Sequence, residues 1–375
     1  MNGSTTGRIL KMTTFGESHG EAIGVVLDGF PSGMRLCEED IALYLERRRG
    51  GRSASSTARD EGDAIRILSG VFEGVTTGTP IAIIAENNAH RSGDYDALKD
   101  IYRPSHADYC YDAKFGIRDH RGGGRASGRE TLARVAAGAV CQKLLKELGV
   151  DVTGYTRSIG PVSINDDILI PGEAGFDTDC LYNGACAMPD KEADERALKY
   201  LEELKKEGDS AGGVIQVVAT GVRAGAGDPV FRKLDAELCA ALMSIGGVKA
   251  VETGNGVMAS GLKGSENNDL FLPGTDTERA IKSSNRGGGI TGGISDGSPI
   301  LLKAHVKPTP SIAKTQSTID KNGAAKDIAI QGRHDPSIVP RAAVVAECVC
   351  AFVILDAMLA RMTDRTDYIK QFYGR

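Results

Sequence analysis

Residues 117–132 read Ile-Arg-Asp-His-Arg-Gly-Gly-Gly-Arg-Ala-Ser-Gly-Arg-Glu-Thr-Leu. Three consecutive glycines, Gly122, Gly123 and Gly124, open backbone conformations closed to other residues. Arg118, Arg121, Arg125 and Arg129 surround them. Ser127 and Glu130 stand at the spacing of a capping box. Beyond them Leu132, Val135, Ala136, Ala139, Val140, Leu144 and Leu145 recur at helical spacing, and Gly149 supplies a stop. A glycine- and arginine-rich loop therefore feeds a helix N-terminus, where unsatisfied N–H groups and the positive dipole end favour an anion. The plainer alternative is a solvated basic loop before an ordinary core helix.

The arginines are informative because the chain is not basic. Its formal net charge is −5 and its pI about 5.8, which argues against broad nucleic-acid or acidic-membrane binding. Hydrophobic and charged contents of 41% and 25% are those of a globular protein. A length of 375 residues allows one large or two ordinary domains. The eight cysteines form no CxxC pair and read as reduced thiols of a cytoplasmic protein. The N-terminus lacks the pattern of a signal peptide. Residues 342–360 are the longest apolar run, but Glu347 and Asp356 interrupt it. A helix there, opened by Pro340, is expected in a core or subunit interface, not in a membrane.

Gly16-Glu-Ser-His-Gly20 is a polar turn before an apolar strand, able to present three reactive groups at a strand end. A helix is expected from Glu38, closing on Arg47, Arg48 and Arg49, with Arg52 beyond; those cations exceed what the helix dipole asks for, so an anion is an equal reading. Residues 64–87 read as strands, and their phrase of polar Gly turn, Pro and apolar strand returns at 296–306, a hint of internal symmetry. Residues 151–208 are the least informative, with a polar, Gly-rich first part and then an amphipathic helix over 190–206. A strand follows at 213–222 and a helix at 234–243. Residues 287–292 match GxGxxG, yet a polar segment precedes them and a strand follows, so a dinucleotide fold is rejected.

No HExxH, Walker A or GxSxG is present, and no metal site is expected. What remains is four polar clusters: Glu17-Ser-His19, Arg103-Pro-Ser-His106 with Asp108 beyond, the loop from Arg121 to Arg129, and Arg333-His-Asp335. Guanidinium groups suit phosphates and carboxylates, and imidazoles suit proton transfer near neutral pH. The inventory fits a multiply anionic small molecule undergoing proton-coupled chemistry.

Gly16-Glu-Ser-His-Gly20, the Arg-Gly-Gly-Gly-Arg-Ala-Ser-Gly-Arg-Glu-Thr block at 121–131 and Gly332-Arg-His-Asp-Pro336 resemble the three signatures of chorismate synthases, in order and at similar spacing. Lesser phrases match too, among them residues 70–80, 103–108 and 307–309. The resemblance covers nearly the whole chain. It implies one catalytic domain over residues 1–375, an α+β sandwich with helices between two antiparallel sheets, and a homotetramer. It also implies the anti-1,4-elimination of phosphate from 5-enolpyruvylshikimate 3-phosphate, giving chorismate, with reduced FMN required. By resemblance His19 assists protonation at the leaving phosphate, His106 protonates the reduced flavin, and Asp335 is linked to proton removal. Ser18 and Ser127 match serines near flavin and substrate; Arg48, Arg103, Arg129 and Arg333 match arginines on the substrate's anionic groups or beside the flavin. The flavin-binding segments correspond to Arg125, Ala126 and Ser127, to Gly246 and Gly247, to Gly292, to Lys307, Pro308, Thr309, Pro310 and Ser311, and to Arg333.

Some positions depart from the family. Ala54 stands where many members have an arginine, so Arg52 or Arg59 is a substitute; Ser105, Ala126 and Gly128 replace a usual glycine, serine and alanine. No nicotinamide-binding domain is recognisable, which favours reduced flavin supplied from elsewhere over NADPH used by this chain. An RNA-binding module built on the Arg-Gly loop is disfavoured by the acidic pI and the lack of an aromatic stacking pattern. A catalytically silent flavin- or phosphate-binding homologue is the other alternative.

Overall fold

The computed structural model describes residues 3–49, 64–87, 98–165, 170–274, 280–330 and 335–374. Alternation builds its first sheet. In β3 (Ala22–Asp28) Ile23, Val25 and Leu27 turn inward, and in β7 (Ile81–Glu86) Ile81, Ile83 and Ala85 do the same. With β1 (Thr5–Thr6), β2 (Lys11–Gly16) and β4 (Ile65–Ile67) they form an antiparallel sheet of order β1-β2-β3-β7-β4. The short hairpin of β5 (Val71–Phe72) and β6 (Val75–Thr76) leads into β7.

A second antiparallel sheet joins β8 (Asp151–Ile159), β9 (Val162–Ser163), β10 (Gly213–Thr220), β11 (Val248–Thr253) and the strand Ile300–Val306, which lies between β11 and β10. The hairpin Ile290–Thr291/Ile294–Ser295 leads into that strand as β5–β6 leads into β7. The repeated phrase in the sequence is therefore a repeated structural unit, used once in each sheet.

Between the sheets run α1 (Glu38–Arg48), α3 (Thr131–Glu147) and the C-terminal helix Val339–Ala360; α3 packs on β3 and the C-terminal helix on β8 and β10. The C-terminal helix is apolar enough to span a membrane, but 78% of its most apolar window is buried, as a core helix should be. Helices α2 (Asp108–Phe115), α4 (Thr178–Asn183), α5 (Lys191–Glu207) and α6 (Leu234–Met243) lie in the connections between strands.

Two sequence expectations change here. The polar, Gly-rich start of the 151–208 segment is β8, a nearly buried strand in the second sheet. Its Gly154 lets the C-terminal helix approach, since a Cβ there would lie 2.4 Å from the Ala343 carbonyl oxygen. Arg47 is not available to an anion: its guanidinium makes two bonds of 2.8 and 2.6 Å to Glu347, which also accepts from the Gly154 amide at 2.8 Å.

Asp356, the other acid in the C-terminal helix, accepts from the backbone amides of Arg8, Ile9 and Leu10 at 2.8–2.9 Å. Asp356→Ala strands these donors, so a loss of about 2–4 kcal/mol is expected. It would appear as a lower urea midpoint at unchanged m-value; an unmoved midpoint would mean that the N-terminal segment is held by other contacts.

Candidate active site

Strand ends and loops carry the polar clusters. The turn between β2 and β3 holds Ser18 and His19, both buried, with Ser18 Oγ 3.1 Å from His19 Nδ1. Asn87, at the end of β7, fixes this turn. Its amide donates to the Glu17 carbonyl at 3.0 Å and the Gly20 carbonyl at 2.9 Å, and its Oδ1 accepts from Arg129 Nε at 2.6 Å. Asn87 thus ties Arg129 to the His19 turn, and no motif in Ala-Glu-Asn-Asn points to it.

The glycine loop passes between two imidazoles. At Gly122 a Cβ would lie 2.2 Å from His19 Cε1 and 2.3 Å from Nδ1. At Gly123 it would lie 3.1 Å from His106 Cε1 and 3.3 Å from Nε2. Both glycines have positive φ, +71° and +110°. Only bare backbone fits against these rings in this conformation.

His106 belongs to a dense ionic cluster just ahead of and into α2. Asp108 is buried, accepts from Arg103 Nε and NH2, both at 2.8 Å, and is ion-paired with Arg118 NH1 at 2.9 Å. His106 Nδ1 is 2.9 Å from Asp108 Oδ1. Burial pushes the Asp108 carboxyl up, but the hydrogen bonds and charges of Arg103 and His106 overcome it and hold the group well below the usual carboxylate range. Ser105, at the usual glycine position, adopts φ +56°, a strained conformation for a serine. Its carbonyl accepts from Lys307 Nζ at 2.7 Å. Burial, with the nearby Lys249 charge, lowers the Lys307 pKa.

Lys307 also donates its backbone amide to the Gly247 carbonyl at 2.9 Å, so residues 246–247 and 307 meet beside the His106 loop. The Thr309 carbonyl accepts from Ser210 Oγ at 2.8 Å, whereas Thr309 Oγ1 is buried with no hydrogen-bond partner among the described residues. Arg341, in the C-terminal helix, links two further candidates: its NH1 is 2.5 Å from Asp335 Oδ2 and its Nε donates to the Arg48 carbonyl at 2.9 Å. Arg48 is itself buried.

Not every candidate lands there as expected. Gly292 is the turn of the Ile290–Ser295 hairpin, whose side-chain contacts run to Lys282 and Asp296. The Arg125 guanidinium is engaged by β2, with bonds to Thr14 Oγ1 at 2.7 Å and the Gly16 carbonyl at 3.2 Å. Arg118 and Arg121 are paired with aspartates, Arg121 with Asp119 at 2.8 Å. The capping box is only half formed. Ser127 Oγ accepts from the Arg129 amide at 3.3 Å, but Glu130 pairs with Arg134 at 3.0 Å, and two 3-10 turns separate the glycines from α3. Arg333, Ala54 and its substitutes Arg52 and Arg59 lie outside the described residues.

Comparisons with known proteins agree with the arrangement. Residues 10–359 match the family model described as chorismate synthase. The chain is 51% identical to the chorismate synthase of Agathobacter rectalis over the full length of both chains. It is 48% identical to that of Methanocella arvoryzae, over 96% of this chain and 95% of the relative. A crystal structure of a chorismate synthase superimposes with a TM-score of 0.77 at 31% identity, covering 98% of this chain and 97% of that one. Agreement in sequence and fold across nearly the whole length, with the first two motifs meeting where Gly122 packs on His19, means that this chain belongs to the chorismate synthase family.

Proposed function

We infer that this chain converts 5-enolpyruvylshikimate 3-phosphate to chorismate and phosphate by anti-1,4-elimination, as a carbon–oxygen lyase acting on a phosphate. The observation that carries the reading is the bare backbone of Gly122 and Gly123 held between His19 and His106. Two proton-handling rings flank one loop, and Arg103 and the Asn87-linked Arg129 stand beside them. Two carboxylates and a phosphate on the substrate account for such cations in an acidic protein.

His19, backed by Ser18, holds a proton near the departing phosphate oxygen. His106 gains and loses its proton at Nε2. Asp335, oriented by Arg341, assists removal of the substrate's ring proton. Arg48, Arg103, Arg129 and Arg333 bind the anionic groups, and Ser127 completes the substrate contacts. The elimination breaks a C–H and a C–O bond and leaves no net redox change.

The residues fit FMN. The buried Thr309 hydroxyl, without a hydrogen-bond partner among the described residues, supplies a polar contact for it, and Gly246, with nothing within 4 Å of its Cβ position, leaves room for close approach. Lys307, Pro308, Thr309, Pro310 and Ser311, the main chain of Arg125, Ala126 and Ser127, and Gly292 and Arg333 would complete its binding. Reduced FMN, when bound, supplies an electron-rich ring that helps phosphate depart. The chain works as a single catalytic domain, in a cytoplasmic homotetramer, and takes reduced flavin from elsewhere in preference to using NADPH. The silent homologue has no observation in its favour, since His19, His106 and Asp335 are all in place.

The test is an anaerobic assay of the purified protein with chemically reduced FMN and the substrate, following chorismate and phosphate together. Equal amounts of both establish the reaction. Repeating it with oxidised FMN and NADPH decides the source of electrons. Binding without product would return the silent homologue.

A further inference from the structure

We propose that Asp108 is the positioning residue for His106: it keeps a hydrogen on Nδ1 and so makes Nε2 the one ring atom where a proton is exchanged. The inference rests on the role given to His106 above and deepens it.

Asp108 opens α2, and an acid in the first turn of a helix needs no other explanation than the dipole. Its side chain does something else. Oδ2 accepts from the Arg103 backbone amide at 3.1 Å and from Arg103 Nε at 2.8 Å. Oδ1 accepts from Arg103 NH2 at 2.8 Å, is ion-paired with Arg118 NH1 at 2.9 Å, and lies 2.9 Å from His106 Nδ1. A carboxylate surrounded by two guanidiniums carries no hydrogen of its own, so the contact with His106 requires the hydrogen to be on Nδ1. One competing contact exists. Arg103 NH2 also lies 3.1 Å from Nδ1, which would need Nδ1 to accept. The shorter distance to a charged acceptor decides against it. Nε2 is then the ring nitrogen left for exchange, and it lies toward Gly123. Ordering a ring through its second nitrogen is a general way to fix a tautomer.

Asp108→Asn keeps the shape but places an amide NH2 where Arg103 or His106 now donates. With the NH2 in the place of Oδ1, the ring can satisfy that amide only by accepting at Nδ1 and moving its hydrogen to Nε2.

The experiment is long-range proton–nitrogen NMR of the full chain with 15N-labelled histidine, without flavin, His106 being assigned by the signals lost in His106→Gln. The neutral wild-type ring is expected as the Nδ1–H tautomer and that of Asp108→Asn as Nε2–H. In the anaerobic assay kcat of Asp108→Asn should fall on the order of 10²-fold, with Asp108→Glu recovering part of it. A wild-type ring carrying its hydrogen on Nε2 overturns the proposal without any variant, so a misfolded Asp108→Asn protein does not protect it. An unchanged kcat in a folded Asp108→Asn protein overturns it as well. If the wild-type ring is Nδ1–H but His106→Ala turns over normally, the role of His106 fails and the positioning by Asp108 stands.

Discussion

His106→Ala is expected to lower kcat by about 10²–10⁴-fold, the range for loss of a positioned acid–base group, while the protein stays folded. The ring keeps 15% of its side-chain surface exposed at the edge of its cluster, and Asp108 keeps both guanidiniums without it. One hydrogen bond to a charged acceptor disappears, worth about 1.5–3 kcal/mol at most. Arg103 retains its bonds to Asp108, so KM for the substrate should move far less than kcat. Anaerobic turnover measured beside thermal unfolding separates the two effects. Near-normal turnover in the folded variant would remove His106 from the chemistry. A protein that fails to fold would instead make the ring a structural member of the cluster.

Much of this site was legible because its residues are local. Gly16-Glu-Ser-His-Gly20 is a hairpin turn in sequence and in space. The run of three glycines announced a backbone kept bare, and its helix begins where the apolar period begins. Other features depend on partners far along the chain. Arg47 looked like an anion ligand until Glu347, 300 residues away, was brought against it. Asp108 stood in the sequence only as a neighbour of His106, and the return of Arg118 from beyond α2 makes it a hub. Asn87 carries no motif at all; its role comes from β7 ending beside the β2–β3 turn. The β8 strand escaped because its residues read only as polar and Gly-rich. Gly154 is bare to admit the C-terminal helix, a demand of packing that no local propensity records. Length left one or two domains open, whereas α3 and the C-terminal helix pack on each other between the two sheets, giving them a common core.

The same close packing makes Gly122→Ala the most damaging small substitution the loop offers. Its Cβ would lie 2.2 Å from His19 Cε1 and 3.0 Å from Ser18 Oγ, and φ at this position is +71°. The conformation alone costs an alanine about 1–2 kcal/mol. The contact costs more, because His19 is buried and bonded to Ser18 on a turn that Asn87 holds. Either the loop withdraws from His19 or the ring turns away, and both displace the groups that handle the proton. A shift of 1 Å at reacting groups costs on the order of 10²-fold in rate, so kcat should fall at least that far. Gly128→Ala is the matched control. It lies in the same loop, nothing stands within 4 Å of its Cβ position, and its φ is not positive. It should leave turnover and stability nearly unchanged. If the two variants turn over alike, Gly122 does not pack against His19 in the working enzyme. If Gly122→Ala alone collapses while its unfolding midpoint moves only modestly, the glycine serves the placement of the ring.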